Sequence, residues 1–275
     1  MSLTLMYITN NIDVALIAEK NGVERIWIDL ETIGKEERQK GMNTVKSQHC
    51  IEDIKKIKPL LSTSQLMVRI NPWNNNSKRE IESVIEAGAD LIMLPMWKTV
   101  KEVVEFVQTV NYRCRTMLLL ETKEAVDCIE KIVKCNGIDE IHIGLNDLHL
   151  SYNLTFMFEL LVNGTVEKIC NVIKKAGIPY GIGGIAKLGA GDLPAEKIIM
   201  EHYRLGSTRA ILSRSFCNTQ IITRIEDIEE TFMNNMLSLR EYEKEIMKCT
   251  QEDLIKNQEN VAEIVHSIVE EKGGN

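Results

Sequence analysis

Charged residues capable of chemistry fall where short apolar runs end. Asp29 and Glu31 follow Trp27-Ile28, Arg69 follows Met67-Val68, Glu121 follows Leu118-Leu119-Leu120, and Asp147 closes Ile143-Gly144-Leu145-Asn146-Asp147. Two carboxylates such as Glu121 and Asp147 are hard oxygen ligands suited to a divalent ion, Mg²⁺ first and Mn²⁺ or Co²⁺ next. A carboxylate directly after four apolar residues begins near a buried axis, where it is costly unless paired or metal-bound. Arg69 carries a planar fork that matches a substrate carboxylate. The backbone N–H groups of Gly144, Leu145 and Asn146 can point at an anion, and a turn Gly181-Ile182-Gly183-Gly184 could do the same. For any one of these residues alone, a surface charge, a helix cap or a tight turn is the competing reading. Of the five histidines, His49, His149 and His202 are candidate general bases, whereas His142 reads as structural and His266 as solvent-facing.

These groups need elements to hold them together. Eight apolar runs recur along the chain: Leu3 to Thr9, Arg25 to Leu30, Gln65 to Ile70, Asp90 to Leu94, Thr116 to Leu120, Glu140 to Ile143, Pro179 to Ile182 and Arg209 to Leu212. Most are continuous, as parallel strands buried on both faces should be. Helical patterns separate them, with Val100, Val103, Val104 and Val107 or Val166, Ile169, Cys170 and Ile173 at i, i+3, i+4, i+7. Eight βα units imply a (β/α)8 TIM barrel, with a doubly wound open sheet as the alternative. In such a barrel the active site forms at the carboxyl ends of the strands, where the charged residues fall.

The 275 residues are expected to form one barrel domain, with 224–272 as a helical C-terminal extension. On that extension Leu254, Val261, Ile264, Val265 and Ile268 form an apolar stripe that should be buried, because an exposed stripe of that length promotes aggregation. Packing on a second subunit is the expectation, hence a homo-oligomer; folding back on the chain's own barrel is the rival.

A net charge of -7 offers no basic surface for nucleic acid or anionic lipid. The first residues resemble no signal peptide, and no segment reaches the ~20 apolar residues that span a bilayer. A cytoplasmic protein without a membrane partner is expected. Seven scattered cysteines without a CxxC pair read as reduced thiols.

In the stretches Trp27-Ile-Asp-Leu-Glu31, Met67-Val-Arg-Ile-Asn-Pro72, Gly88-Ala-Asp-Leu-Ile-Met-Leu-Pro95, Leu120-Glu-Thr122, Ile143-Gly-Leu-Asn-Asp-Leu148 and Gly181-Ile-Gly-Gly184 the sequence resembles the HpcH/HpaI aldolase and citrate lyase superfamily, the phosphoenolpyruvate/pyruvate-binding barrels. The resemblance implies a pyruvate or oxaloacetate enolate held on Mg²⁺ or a similar ion. It makes Glu121 and Asp147 the metal ligands and Arg69 the substrate-binding, enolate-steadying residue. It assigns Gly144, Leu145 and Asn146 to the substrate carboxylate, and Glu31 to the neighbourhood of metal-bound water. Two positions depart from the pattern. Thr32 stands where aldolases carry a catalytic histidine and citrate-lyase-like members an aspartate, and Leu119 stands where aldolases carry glutamine.

The expected function is therefore a metal-dependent carbon–carbon lyase acting on a small-molecule 2-oxo acid, with Arg69, His49 and Glu31 as catalytic residues and His49 supplying the base that Thr32 cannot. The alternatives are a citrate- or malyl-thioester lyase and a non-catalytic barrel that binds metal and 2-oxo acid. No lysine ends an apolar run, which disfavours a Schiff-base aldolase.

Overall fold

Side-chain alternation along the strands decides what the barrel interior contains. In the computed structural model, which describes residues 2–34 and 48–273, eight parallel strands close into a barrel in chain order. They are β1 (Thr4–Ile8), β2 (Arg25–Asp29), β3 (Gln65–Arg69), β4 (Leu91–Leu94), β5 (Arg115–Leu120), β6 (Glu140–Ile143), β7 (Tyr180–Ile185) and β8 (Arg209–Leu212). Closure excludes the open doubly wound sheet. Met6, Trp27, Met67, Leu91, Met93, Met117 and Leu119 form one buried cluster along the barrel axis. Their alternates, among them Ile26, Ile28, Leu66, Val68, Leu118 and Leu120, belong to the larger core between sheet and helices. Four of the seven are methionines, whose unbranched, flexible side chains fill irregular gaps.

The same period of two fixes both ends of the barrel. Two residues after Trp27, Met67 and Leu119 come Asp29, Arg69 and Glu121, which therefore face inward at the carboxyl-terminal mouth. Two residues before Trp27, Met67 and Met117 come Arg25, Gln65 and Arg115 at the opposite end. There Glu140, fully buried, accepts from both Nη atoms of Arg25 at 2.6 and 2.7 Å and pairs with Arg115 and Arg209. This network closes the barrel floor. It pulls the Glu140 carboxyl down to about 2, because the hydrogen bonds and charges of Arg25 and Arg209 outweigh the burial that opposes ionisation.

The helices described are α1 (Ile12–Lys20), α2 (Ile51–Ile57), α3 (Ser77–Glu86), α4 (Val100–Val110), α5 (Lys123–Ile132), α6 (Leu145–Ser151), α7 (Glu159–Val162), α8 (Thr165–Lys175), α9 (Ala195–Leu205), α10 (Ile225–Ile246) and α11 (Gln251–Gly273). Several starts are written locally. Asn11 and Thr122 accept the N–H of Val14 and Ala125, and Thr99 closes a capping box with Glu102. The long tail folds onto its own barrel: α11 packs on α9 and α7, with Val261 and Val265 buried and Leu254, Ile264 and Ile268 partly so. The apolar stripe is thus covered within the chain, through the rival arrangement, and a second subunit is not needed to bury it. Among the described residues no helix is long and apolar enough to cross a membrane.

The glycine-rich stretch after Pro179 is not the turn its composition suggests. Gly181 to Gly184 is strand, the middle of β7, and forms no anion-binding turn. The glycines are there for space. A Cβ on Gly181 would stand 2.3 Å from His142 Nδ1, and one on Gly183, at φ +46°, 2.9 Å from Leu145 Cδ1. His142 fills the room this leaves, Nε2 donating to Gly183 O at 3.0 Å, and burial lowers its pKa to about 4. The structural reading of His142 holds.

Candidate active site

Asp29 and Arg69 are register partners on β2 and β3. Their side chains close a two-point pair, Nε to Oδ1 at 2.8 Å and Nη2 to Oδ2 at 2.9 Å. Nη2 also meets Glu31 Oε2 at 3.2 Å, and the guanidinium lies 5.0 Å from the Trp27 ring centroid. Burial opposes the charge on Arg69, but Asp29, then Glu31 and Glu121, hold it firmly protonated. The pair occupies the Nε/Nη2 edge of the fork, the edge that would otherwise face a substrate carboxylate. What Arg69 can present to a ligand is Nη1. Asp29, one of the charged run ends, is the partner the sequence reading did not assign.

Glu121, at the end of β5, is buried. Its Oε1 accepts the N–H of Met96 at 3.0 Å. Met96 follows Pro95 after β4 with φ +53°, a left-handed conformation that an unbranched side chain tolerates at some cost and that turns its N–H toward the carboxylate. Nothing in the local sequence announces that turn. Burial, Asp147 and Glu31 raise the Glu121 pKa well above the carboxylate range, against Arg69 and the Met96 N–H. Glu121 and Asp147 line one cavity of about 680 Å³ that opens past Lys98 and Lys123. A buried Glu121 whose ionisation Asp147 opposes forms, with Asp147, a donor set that a hard cation would relieve. The residues therefore fit a divalent ion. A hard ion that keeps several waters needs no cage of three or more His, Cys, Asp or Glu, and the described residues form none.

Gly144 makes the approach of β5 and β6 possible. A Cβ there would sit 3.0 Å from Glu121 Oε2 and 3.2 Å from Leu119 Cδ1. Its N–H, however, donates to Leu120 O at 2.9 Å in the sheet, so it is not a donor to an anion. The amides expected to serve a carboxylate reduce to those opening α6, at Leu145, Asn146 and Asp147, which have no acceptor within the helix. Thr32 does not stand in for a base. Its N–H and hydroxyl, with the N–H of Ile33, converge on Asn71 Oδ1 at 2.9–3.2 Å, and Asn71 Nδ2 is itself tied to Glu80 at 2.8 Å.

His49 does return to the barrel mouth. Its Nδ1 accepts the N–H of Asp29 at 2.9 Å. A backbone amide can only donate, so the neutral ring carries its proton on Nε2. This geometry opposes the base role expected of His49: the ring presents a donor, and taking a further proton at Nδ1 would break the contact with Asp29. The other two candidate bases are removed from this chemistry. His202 is buried on α9 with Nδ1 2.8 Å from Ser207 Oγ at the amino-terminal side of β8, and burial lowers its pKa to about 3. His149 is buried within α6, Nδ1 facing Leu145 O at 3.3 Å.

A parallel barrel that gathers carboxylates and one arginine at its strand ends defines the class: a (β/α)8 barrel with a charged mouth. The chain matches the profile of the HpcH/HpaI aldolase/citrate lyase family over residues 4–180, and it belongs to that family. Membership supports a lyase-type enzyme. No curated protein sequence matches the chain. Solved structures share the fold at low identity. An HpcH/HpaI aldolase from Desulfitobacterium hafniense DCB-2 is 15% identical, with a TM-score of 0.62 over 83% of this chain and 93% of that one. Citrate synthase SbnG is 16% identical, with a TM-score of 0.59 over 83% and 94%. Macrophomate synthase is 16% identical, with a TM-score of 0.54 over 78% and 77%.

Proposed function

We propose that this protein is a divalent-metal-dependent carbon–carbon lyase that cleaves or forms a bond next to the methyl carbon of a pyruvate-like 2-oxo acid. The observation that carries the reading is the buried Glu121, set at the end of β5 beside Asp147 and within the field of Arg69. Glu121 and Asp147 would hold the ion, Mg²⁺ or a similar hard cation. When bound, it supplies Lewis acidity to the 2-oxo group.

The chain's own residues do the rest. Arg69, immobilised by Asp29, directs Nη1 at the charge that develops on the 2-oxo oxygen. The amides that open α6 receive the carboxylate. Glu31 is buried and meets Arg69 Nη2 through Oε2 at 3.2 Å; beside the reacting mouth it is the carboxylate assigned to take and return the proton. His49, with its proton on Nε2, donates to the carbonyl oxygen of the bond-forming partner.

Deuterium wash-in at the methyl of pyruvate tests the reading. Exchange should require added Mg²⁺ or Mn²⁺, stop on chelation, and be abolished in Glu121→Gln. A folded, metal-loaded protein that exchanges no deuterium would overturn it. The locking of Thr32 by Asn71 favours a second reading, a barrel that binds metal and 2-oxo acid without turnover. Pyruvate binding without exchange would select that one.

A further inference from the structure

The floor of the barrel holds more positive charge than its one buried acid requires. Glu140 is fully buried and receives a two-point bond from Arg25, Nη1 to Oε2 at 2.6 Å and Nη2 to Oε1 at 2.7 Å. Arg25 is buried too, and its Nε donates to Gln65 Oε1 at 3.0 Å. One carboxylate and one guanidinium are thus already matched in charge and in geometry. Arg115 Nη2 nevertheless meets Glu140 Oε1 at 2.6 Å, and Arg209 Nε donates to Oε2. Three guanidiniums share one carboxylate, so two positive charges are left over. Like charges drawn to one point away from water repel each other.

The acids of the neighbouring loops are engaged elsewhere. Lys58 Nζ holds both oxygens of Asp90 at 2.6 Å. Asp139 Oδ2 accepts the N–H of Thr116 at 2.8 Å and its hydroxyl at 3.2 Å. Glu24 pairs with Arg240 at 2.6 Å and accepts the N–H of Leu5 at 2.7 Å.

What the floor still offers is donors. Arg209 spends Nε on Glu140 and Nη1 on Thr208 Oγ1, and among the described residues nothing accepts from its Nη2. Arg115 makes its one contact through Nη2, and its side chain is 42% exposed, so a ligand can reach the rest of the fork. Gln65 turns its oxygen to Arg25, which leaves its amide nitrogen to donate. A guanidinium never accepts a hydrogen bond, so the fitting ligand is one that only accepts.

We infer that the floor of the barrel is a second ligand site, which takes an oxyanion, a phosphate group or a carboxylate, on the unused N–H groups of Arg115 and Arg209. Either group presents paired oxygens that match the edge of a guanidinium. The site lies at the amino ends of the strands, opposite Glu121 and Asp147, and it does not rest on the lyase reading.

Calorimetric titration of the full-length protein with inorganic phosphate, and separately with succinate, tests the site at an ionic strength held constant with sodium chloride. At least one should bind saturably, and the tighter of the two identifies the source. Arg115→Gln should weaken that binding about tenfold, the effect of losing charge-assisted hydrogen bonds. Arg69→Lys, at the opposite mouth, should leave it at wild-type affinity. No saturable binding of either anion up to high-millimolar concentration overturns the site. So does binding that Arg69→Lys weakens and Arg115→Gln does not, which would place the ion at the mouth.

Urea unfolding separates a ligand site from a mere brace. In buffer free of phosphate and carboxylate, Arg115→Gln should have a midpoint at or above that of wild type, because Arg25 still satisfies Glu140 and one repulsion is gone. The bound anion should then raise the wild-type midpoint and leave that of the variant unchanged, since only a protein that binds the ligand is stabilised by it. A variant less stable than wild type, with the same response to the anion, makes Arg115 a brace and overturns the site.

Discussion

Asp29 and Arg69 meet at two points across neighbouring strands, and this pair fixes the guanidinium at the mouth of the barrel. Each partner costs several kcal/mol to bury alone, so the pair is stable only while both remain. Asp29 thereby sets the direction in which Arg69 offers Nη1. The same residue's peptide N–H orients His49. One strand end therefore positions both the Arg69 guanidinium and the His49 ring.

Asp29→Asn should expose that dependence. The substitution keeps the shape and the backbone N–H but removes the charge opposite a buried guanidinium. Stability should drop by about 3 kcal/mol in a urea titration, in the range for breaking one partner of a buried pair. KM for pyruvate should rise at least tenfold with a smaller change in kcat, because Arg69 loses its orientation before it loses its charge. A pyruvate KM equal to wild type would show that Arg69 does not depend on Asp29.

At the opposite end of the barrel, Glu140 should dominate the acid limb of the stability curve. Its folded pKa, about 2, lies below the ordinary 4.5. The stabilisation is therefore complete above about pH 4.5 and is lost as pH falls toward 2, worth roughly 3 kcal/mol over that window. Glu140→Gln should remove this dependence. It should also destabilise the protein at pH 7, because Arg25, Arg115 and Arg209 are left around a neutral group. Urea midpoints measured from pH 3 to pH 7 in both proteins check it; parallel curves would refute it.

Which parts of this could be read from the chain follows from how local each signal is. All eight strands showed as apolar runs because parallel strands are buried on both faces, and their ends moved by only one residue except in β7. There the run was cut at Ile182, because glycines normally stop a strand; here Gly181 and Gly183 clear space for His142 and Leu145, which is information held on β6 and α6. Glu121, Asp147 and Arg69 were legible as charges closing apolar runs. The left-handed Met96, the Asn71 clamp on Thr32 and the proton position on His49 were not, since each depends on a partner at least 20 residues away. The floor network of Glu140 was hidden for the same reason.

Gly144→Ala should weaken metal binding specifically. The new Cβ would meet Glu121 at 3.0 Å from Oε2 and 3.1 Å from its Cβ, so the carboxylate must shift by a few tenths of an ångström. Displacements of that kind around a ligand typically cost 10–100-fold in metal affinity. Backbone strain adds little, because Gly144 has φ −86°, which alanine adopts freely. Calorimetric titration with Mn²⁺ should therefore show roughly tenfold weaker binding at a melting temperature within a few degrees of wild type. Unchanged affinity would remove Glu121 from the ligand set.

The tail provides the last test, because the structure gives it a job inside the chain. Val265 is fully buried on α11, which packs on α9 and α7, and on the same helix Asn257 donates to Lys197 O at 3.1 Å and Glu201 Oε1 at 3.0 Å. Val265→Asp places an unpaired carboxylate at this buried position, and Val265→Ala leaves a small cavity there. Burying an uncompensated charge is the more expensive of the two, so the aspartate should cost over ~3 kcal/mol and the alanine about 1–3 kcal/mol. If α11 serves only its own barrel, both variants should lose stability in that order while light scattering returns the wild-type mass at every concentration. If the helix instead exchanges between subunits, the aspartate variant should dissociate at low micromolar concentration before it unfolds. An altered mass at unchanged unfolding free energy would overturn the intramolecular role and restore the helix as an oligomer contact.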